Sequence, residues 1–208
     1  GPNVTDAIYS AGFGSVSRLY GEAQRQVGMK PSAYRKNGEG EHIVHACRET
    51  AVGWLMMAAT GQGVCFAEFG DHPDDLLEQL RSEFPGAQLE ASAASHSPEL
   101  NSWIAALDLY LAAKGPRPDV PLDLRGTAFQ VHVWQCLLAI REGETINYSE
   151  LAQRIGRPSA VRAAASACGR NRIAVLVPCH RVLRSDGTLG GYRWGLDRKQ
   201  RLLEKERS

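Results

Sequence analysis

The 208-residue chain has no long apolar run; its purely apolar stretches last only a few residues, too short for a transmembrane helix. Its first residues lack the charged-then-apolar order of a secretion signal. No segment repeats and no tract is of low complexity, which excludes solenoid, collagen-like and prion-like chains. Cysteine is scarce and odd in number. Cys47, Cys65, Cys136, Cys168 and Cys179 include no Cys-x-x-Cys pair, which speaks against a disulfide framework, a structural zinc site and a dithiol redox centre. A working cysteine therefore acts alone. A soluble, cytoplasmic protein without metal, cofactor or membrane partner is expected.

Net charge is nearly absent too, at +1, yet the balance hides blocks. Residues 1–37 carry five basic side chains against two acidic, residues 38–124 four against fourteen, and residues 125–208 fifteen against seven. The basic final third is the natural surface for a polyanion, and an uneven but merely solvated surface is the alternative. With 43% hydrophobic and 23% charged residues, the composition is that of an ordinary globular chain.

Asn3 to Ala11 reads as a short helix ending at Gly12-Phe13-Gly14, and Ser15 caps a second through about Val27. Two helices across a glycine turn make a helix-turn-helix candidate, though helical hairpins are common. Residues 37–41 read as a linker. Ile43 to Cys47, Val52 to Ala58 and Val64 to Phe69 are rich in strand formers, so a small antiparallel meander is expected. Helical spacing follows over Asp71 to Phe84 and again from Ser97-Pro98, with Leu100, Ile104, Leu107 and Leu111 on one stripe. This gives an α/β unit over 38–121.

Beyond the proline-rich crossing Gly115 to Pro121, residues 122–208 read as mostly helical. Thr127 caps a helix to about Ile140, Ser149 one over Glu150 to Ile155, and Ser159 one over Ala160 to Cys168. The last is built mainly of alanine with Arg162 as its large charged side chain. Such a surface fits close approach to a partner or tight packing on a neighbouring helix. Val175-Leu176-Val177 then reads as a strand running into Pro178-Cys179-His180-Arg181. A thiol is only a few per cent ionised at neutral pH, so nucleophilicity needs a base or a positive field. Here His180 is adjacent and Arg181 and Arg184 are near in the chain.

Two resemblances add to this reading. Residues 4–36 resemble the second helix-turn-helix of an AraC-type DNA-binding domain; the first such unit is absent from these 208 residues. Val177-Pro178-Cys179-His180-Arg181-Val182, followed by Gly191-Tyr192-Arg193-Trp194-Gly195 and preceded by Gly143 to Ala152 and by Gly169-Arg170-Asn171-Arg172, resembles the O6-alkylguanine-DNA alkyltransferase family. That likeness runs over about 42–206, is dense from Gly126, and is greatest to adaptive-response members that join an AraC-type unit to the alkyltransferase.

The resemblance implies an RNase H-like α/β unit followed by a winged-helix-like DNA-binding and active-site unit. It makes Cys179 the alkyl acceptor, His180 the base acting through a water, Glu206 the carboxylate orienting the imidazole, and Asn171 the support of the active-site turn. Without the family, Asn171 reads as an ordinary turn residue. Tyr148 would serve the guanine ring nitrogen N3, the carbonyls of Cys179 and Val182 its exocyclic amine, and Tyr192 and Arg193 the lid over the base. Many relatives carry serine where Arg193 stands, so the arginine is expected to narrow the entrance to large O6 groups such as benzyl. Arg162, Ala163 and Ser166 would face the minor groove of double-stranded DNA, Arg162 filling the stack vacated by a flipped base. A monomer acting once on O6-alkylguanine, and on O4-methylthymine, is implied. A transcription regulator, or a module that binds alkylated bases without chemistry, is the alternative class. Cys47, Cys65, Cys136 and Cys168 are expected to be buried structural thiols.

Overall fold

The computed structural model describes residues 40–92 and 98–207. The helix-turn-helix expected over residues 1–37 lies outside the described residues, as does Ser97.

Three strands form the meander read from the sequence: β1 (His42–Thr50), β2 (Gly53–Thr60) and β3 (Gly63–Gly70), paired antiparallel in that order. The sheet is mixed rather than antiparallel. A fourth strand, β4 (Gln88–Ala91), pairs parallel to β1, so the order is β3-β2-β1-β4. Its four residues carry too weak an alternation to read as a strand. β2 is covered on both faces, and side chains of alternate residues go to opposite sides. Met56 and Ala58 pack with Leu76, Leu80 and Phe84 around helix α1 (Pro73–Glu83), while Leu55, Met57 and Ala59 enter the larger core. A bulge between Ala58 and Ala59 leaves Cys65 without an opposite residue and turns both Cys65 and Phe66 toward α1.

Helix α2 (Pro98–Leu111) begins at the expected proline and buries the expected Leu100, Ile104, Leu107 and Leu111. The crossing after it is pinned to β3: Val64 N–H donates to Pro121 O and Asp123 N–H to Val64 O. Gly63 permits this approach, having φ +139° and no room for a Cβ, which would lie 2.4 Å from Pro121 O.

Helix α3 (Ala128–Leu138) starts with the expected Thr127 cap, completed by Gln130 as a capping box. Two other caps differ from expectation. Helix α4 (Tyr148–Arg154) is capped by Asn147, which accepts from the Ser149 and Glu150 N–H groups while Glu150 reaches back; Ser149 sits inside the helix. Helix α5 (Val161–Gly169) has Ala160 at its cap and no side-chain cap bond, so Ser159 does not serve. The Trp134 indole of α3 donates to Ala167 O of α5, locking the pair. β5 (Ile146–Asn147) pairs parallel with β6 (Val182–Leu183), and α6 (Leu196–Arg207) closes the fold. No helix among the described residues is long and apolar enough to cross a membrane.

The expected strand Val175-Leu176-Val177 is a tight buried turn. Its β-branched, wholly buried sequence mimics a covered strand, but Val175 has φ +67°, a conformation that costs about 1–3 kcal/mol for a non-glycine residue. Asn171 holds it: Oδ1 accepts from Ile173 N–H, and Nδ2 donates to Ile173 O at 3.3 Å and Val177 O at 2.9 Å. Cys179–Arg181 follows as one turn of 3-10 helix.

Candidate active site

The turn delivers Cys179 into the core, 5% exposed. Asn171, besides holding the backbone, donates from Nδ2 to Cys179 Sγ at 3.2 Å. A hydrogen bond donated to sulfur favours the thiolate. Burial pushes the Cys179 thiol up to about 11, opposed by the Asn171 amide and the Lys199 ammonium. The cations expected for this task, Arg181 and Arg184, do not perform it. Arg181 is committed elsewhere, and the charge acting on the thiol comes from Lys199.

His180 is fully buried, and its Nε2 lies 2.8 Å from Glu206 Oε1. The same carboxylate takes Arg181 on both oxygens, Nη2 to Oε1 and Nε to Oε2 at 2.8 Å each, and the Tyr110 hydroxyl on Oε1 at 2.9 Å. Burial alone would raise the Glu206 carboxyl, but the bonds from His180 and Arg181 outweigh it and hold it well below the usual carboxylate range. An ionised Glu206 fixes the proton of neutral His180 on Nε2, leaving the lone pair on Nδ1. That Nδ1 is buried and has no hydrogen-bond partner among the described residues. Burial lowers the imidazole pKa against the pull of Glu206, so the ring is a neutral base at neutral pH.

Lys199 was not singled out from the sequence. It stands on α6 two turns before Glu206, next to the apolar positions Leu202 and Leu203, and that shared inward stripe was the available signal. Its ammonium donates to Val182 O at 2.6 Å and also to Leu189 O, tying β6 to the segment leading into Gly191-Tyr192-Arg193. Burial brings it down to about 8, opposed by the Cys179 and Cys168 thiols.

The remaining expected residues divide into two places. Tyr148, at the start of α4, is half-buried and raised to about 12 by desolvation first and then by Cys168 and Cys179. A Cβ at Gly190 (φ +64°) would lie 3.4 Å from the Tyr148 hydroxyl, so the glycine leaves the tyrosine its space. Tyr192 meets the His180 ring edge-on, with centroids 6.4 Å apart. The Val182 and Cys179 carbonyls already accept from Lys199 Nζ and Val182 N–H, leaving each one free lone pair. Arg193 does not stand alone at the entrance; its Nε is 3.2 Å from Glu68 Oε1. Arg162, Ala163 and Ser166 are exposed together on the outer face of α5, away from the thiol, while Ala164, Ala167 and Cys168 face inward. Of the other thiols, Cys65 and Cys168 are buried as expected, whereas Cys47 and Cys136 are only half-buried.

Residues 128–208 match the family described as 6-O-methylguanine DNA methyltransferase, DNA binding domain. A methylated-DNA–protein-cysteine methyltransferase of Mycobacterium bovis is 47% identical over 122 residues, 57% of this chain and 74% of its own length. The chain belongs to the methylated-DNA–protein-cysteine methyltransferase family. The regulatory protein Ada of Salmonella typhimurium is 42% identical over 206 residues, 99% of this chain; the chain spans 57% of that relative's length. The crystal structure of Mycobacterium tuberculosis OGT in complex with DNA superposes with a TM-score of 0.64 at 35% identity, covering 80% of this chain and 92% of that one. The mixed sheet and helices described above are thus the methyltransferase fold, and Cys179 and His180 lie together on a buried turn of it.

Proposed function

We propose that the protein repairs DNA by direct reversal, moving the alkyl group of O6-alkylguanine, and of O4-methylthymine, onto Cys179. The observation that carries this is the pairing of two arrangements: a buried thiol accepting an amide N–H, and a histidine whose Nδ1 is free while its Nε2 is fixed by an ionised carboxylate. In the reaction the thiol proton passes to His180 Nδ1 through a water, and sulfur attacks the alkyl carbon in line. The S–C bond forms as the C–O6 bond breaks, and the electron pair leaves with the guanine. Tyr148 meets the charge that develops on the ring at N3, and the lid around Tyr192 and Arg193 covers the base. Glu206 keeps its proton-free state and stabilises the imidazolium that forms.

The target atom lies inside the duplex, so the nucleotide must leave the stack. The exposed face of α5, with Arg162, Ala163 and Ser166, fits a minor groove because its side chains are small, and Arg162 fills the gap left by the base. The surrounding excess of basic residues supplies phosphate contacts without sequence preference. A thioether is a stable bond that a thiol does not displace, so each chain acts once; the same reading makes it a monomer working on DNA in the cytoplasm or nucleoid. We read residues 38–121 as the RNase H-like unit, 122–208 as the winged-helix-like catalytic unit, and 1–37 as a partial AraC-type helix-turn-helix.

Mass spectrometry of the intact protein and its peptides, after mixing with a duplex containing one O6-methylguanine, tests the proposal. One methyl on Cys179, saturating at one per chain, is the expected result. Tight binding to the lesion without an adduct would place the protein among modules that recognise alkylated bases without chemistry.

A further inference from the structure

Glu68 is the polar exception in β3. Its neighbours Phe66, Ala67 and Phe69 are buried apolar residues, and its own side chain is 2% exposed. A carboxylate on such a strand is weak evidence for stability, since an apolar residue of similar volume would pack as well without desolvating a charge. Its partners point to another purpose. Arg193 Nε from the lid stands 3.2 Å from Glu68 Oε1, and Arg172 Nη1 stands 3.7 Å from the same oxygen. Arg172 directly follows Asn171, the residue that holds the Cys179 turn, and is itself anchored to Glu83 at the end of α1 at 2.7 Å. One residue earlier, Ala67 ties the strand to that turn by backbone: its N–H donates to Arg172 O, and its carbonyl accepts from Ala174 N–H. Both walls of the thiol site, turn and lid, therefore converge on one sheet residue that has no part in the chemistry.

The contact is also incompletely made. Glu68 Oε1 is buried without a hydrogen bond, and so is the indole N–H of Trp194, next to Arg193 on the lid. The lid thus meets the sheet through the charges of Arg193 and Glu68.

We propose that Glu68 is a positioning residue that latches the lid to the sheet through Arg193 and so sets how large an alkyl group the site accepts. This rests on the transfer reading above for its specificity, but the latch itself is a property of the uncomplexed protein. The size limit expected from Arg193 then comes less from its own bulk than from how firmly it holds the lid closed.

The test compares Glu68→Gln, Arg193→Met and the double variant. Hydrogen exchange of the backbone amides of residues 189–195, followed by mass spectrometry, should quicken by about tenfold in each single variant, with no further gain in the double. With substrate, the rate ratio of O6-benzylguanine to O6-methylguanine transfer should rise in the same variants. Lid exchange within about twofold of the unaltered protein, or effects that multiply in the double variant, would overturn the latch. Exchange needs no substrate, so failure of alkyl uptake in the unaltered protein would sink the transfer reading while leaving the latch to be judged. Should Glu68→Gln fail to fold, Arg193→Met, whose side chain is one-third exposed, tests the same contact from the solvent side.

Discussion

Two buried thiols in this molecule differ in the direction of one hydrogen bond. Cys65, in the sheet, donates its S–H to Ala58 O at 3.5 Å. Cys179, in the turn, accepts from Asn171 Nδ2 at 3.2 Å. Burial raises both, Cys65 to about 12 and Cys179 to about 11, so depth alone does not separate a structural thiol from a nucleophile. The surroundings do. A donated bond needs the proton to stay, whereas an accepted one, with Lys199 nearby, rewards its departure. Cys65 also feels Arg125, but Asp123 and Glu41 work against that cation.

The comparison breaks most sharply at the sulfur. Replacing Cys179 with alanine should abolish methyl uptake from damaged DNA, while Cys65→Ala should leave one methyl per chain, both read by intact mass. Next in size is the carboxylate. Glu206→Gln strips the buried Arg181 of its counter-charge and should lower stability by about 3–5 kcal/mol in denaturant unfolding. Because the Glu206 carboxyl is depressed in the folded state, its contribution is complete above the ordinary glutamate range, about 4.3, and is lost as pH falls below that toward the folded value. Unfolding midpoints measured from pH 7 to pH 3 should decline in the unaltered protein and much less in the variant.

Asn171→Ala would make Cys179 resemble Cys65 by removing the donor to sulfur. It should slow transfer by roughly 10- to 100-fold and move the alkaline rise of thiol reactivity to higher pH, read by alkylation rate against pH. The proton acceptor gives a further signature. With the His180 pKa lowered by burial, the transfer rate should stay level from pH 8 down through 7 and fall only below the ordinary histidine value of about 6.5. The smallest effect belongs to the sheet thiol: Cys65→Ala should lose only about 1 kcal/mol of stability.

The helices α1 to α5 and the three long strands were legible because their apolar spacing is strong and several boundaries carry proline, glycine or threonine signals, as at Pro98 and Thr127, whereas α6 was not read from its spacing. The acceptor, base, carboxylate and supporting asparagine were legible through motif resemblance, and the structure brings Cys179, His180, Glu206 and Asn171 together. What was hidden depends on pairing across distance. β4 exists because β1 offers it an edge, and its own four residues say little. Val175 to Val177 look like strand because every side chain is apolar and β-branched or leucine; the Asn171 side chain and the distant backbone of Ala67 hold them as a turn. Lys199 and Glu68 read as ordinary charged residues until α6 and β3 bring them inside.

α6 contributes Arg198 as well, which donates to Val52 O and Trp194 O and reaches Asp71. One helix thus supplies the cation beside the thiol, the carboxylate behind the base and a strap across the sheet. During synthesis it is the last of the described elements to leave the ribosome. Until then the cysteine turn lacks Lys199 and His180 lacks the Glu206 carboxylate, so a nascent chain holds the thiol before it holds the groups that tune it.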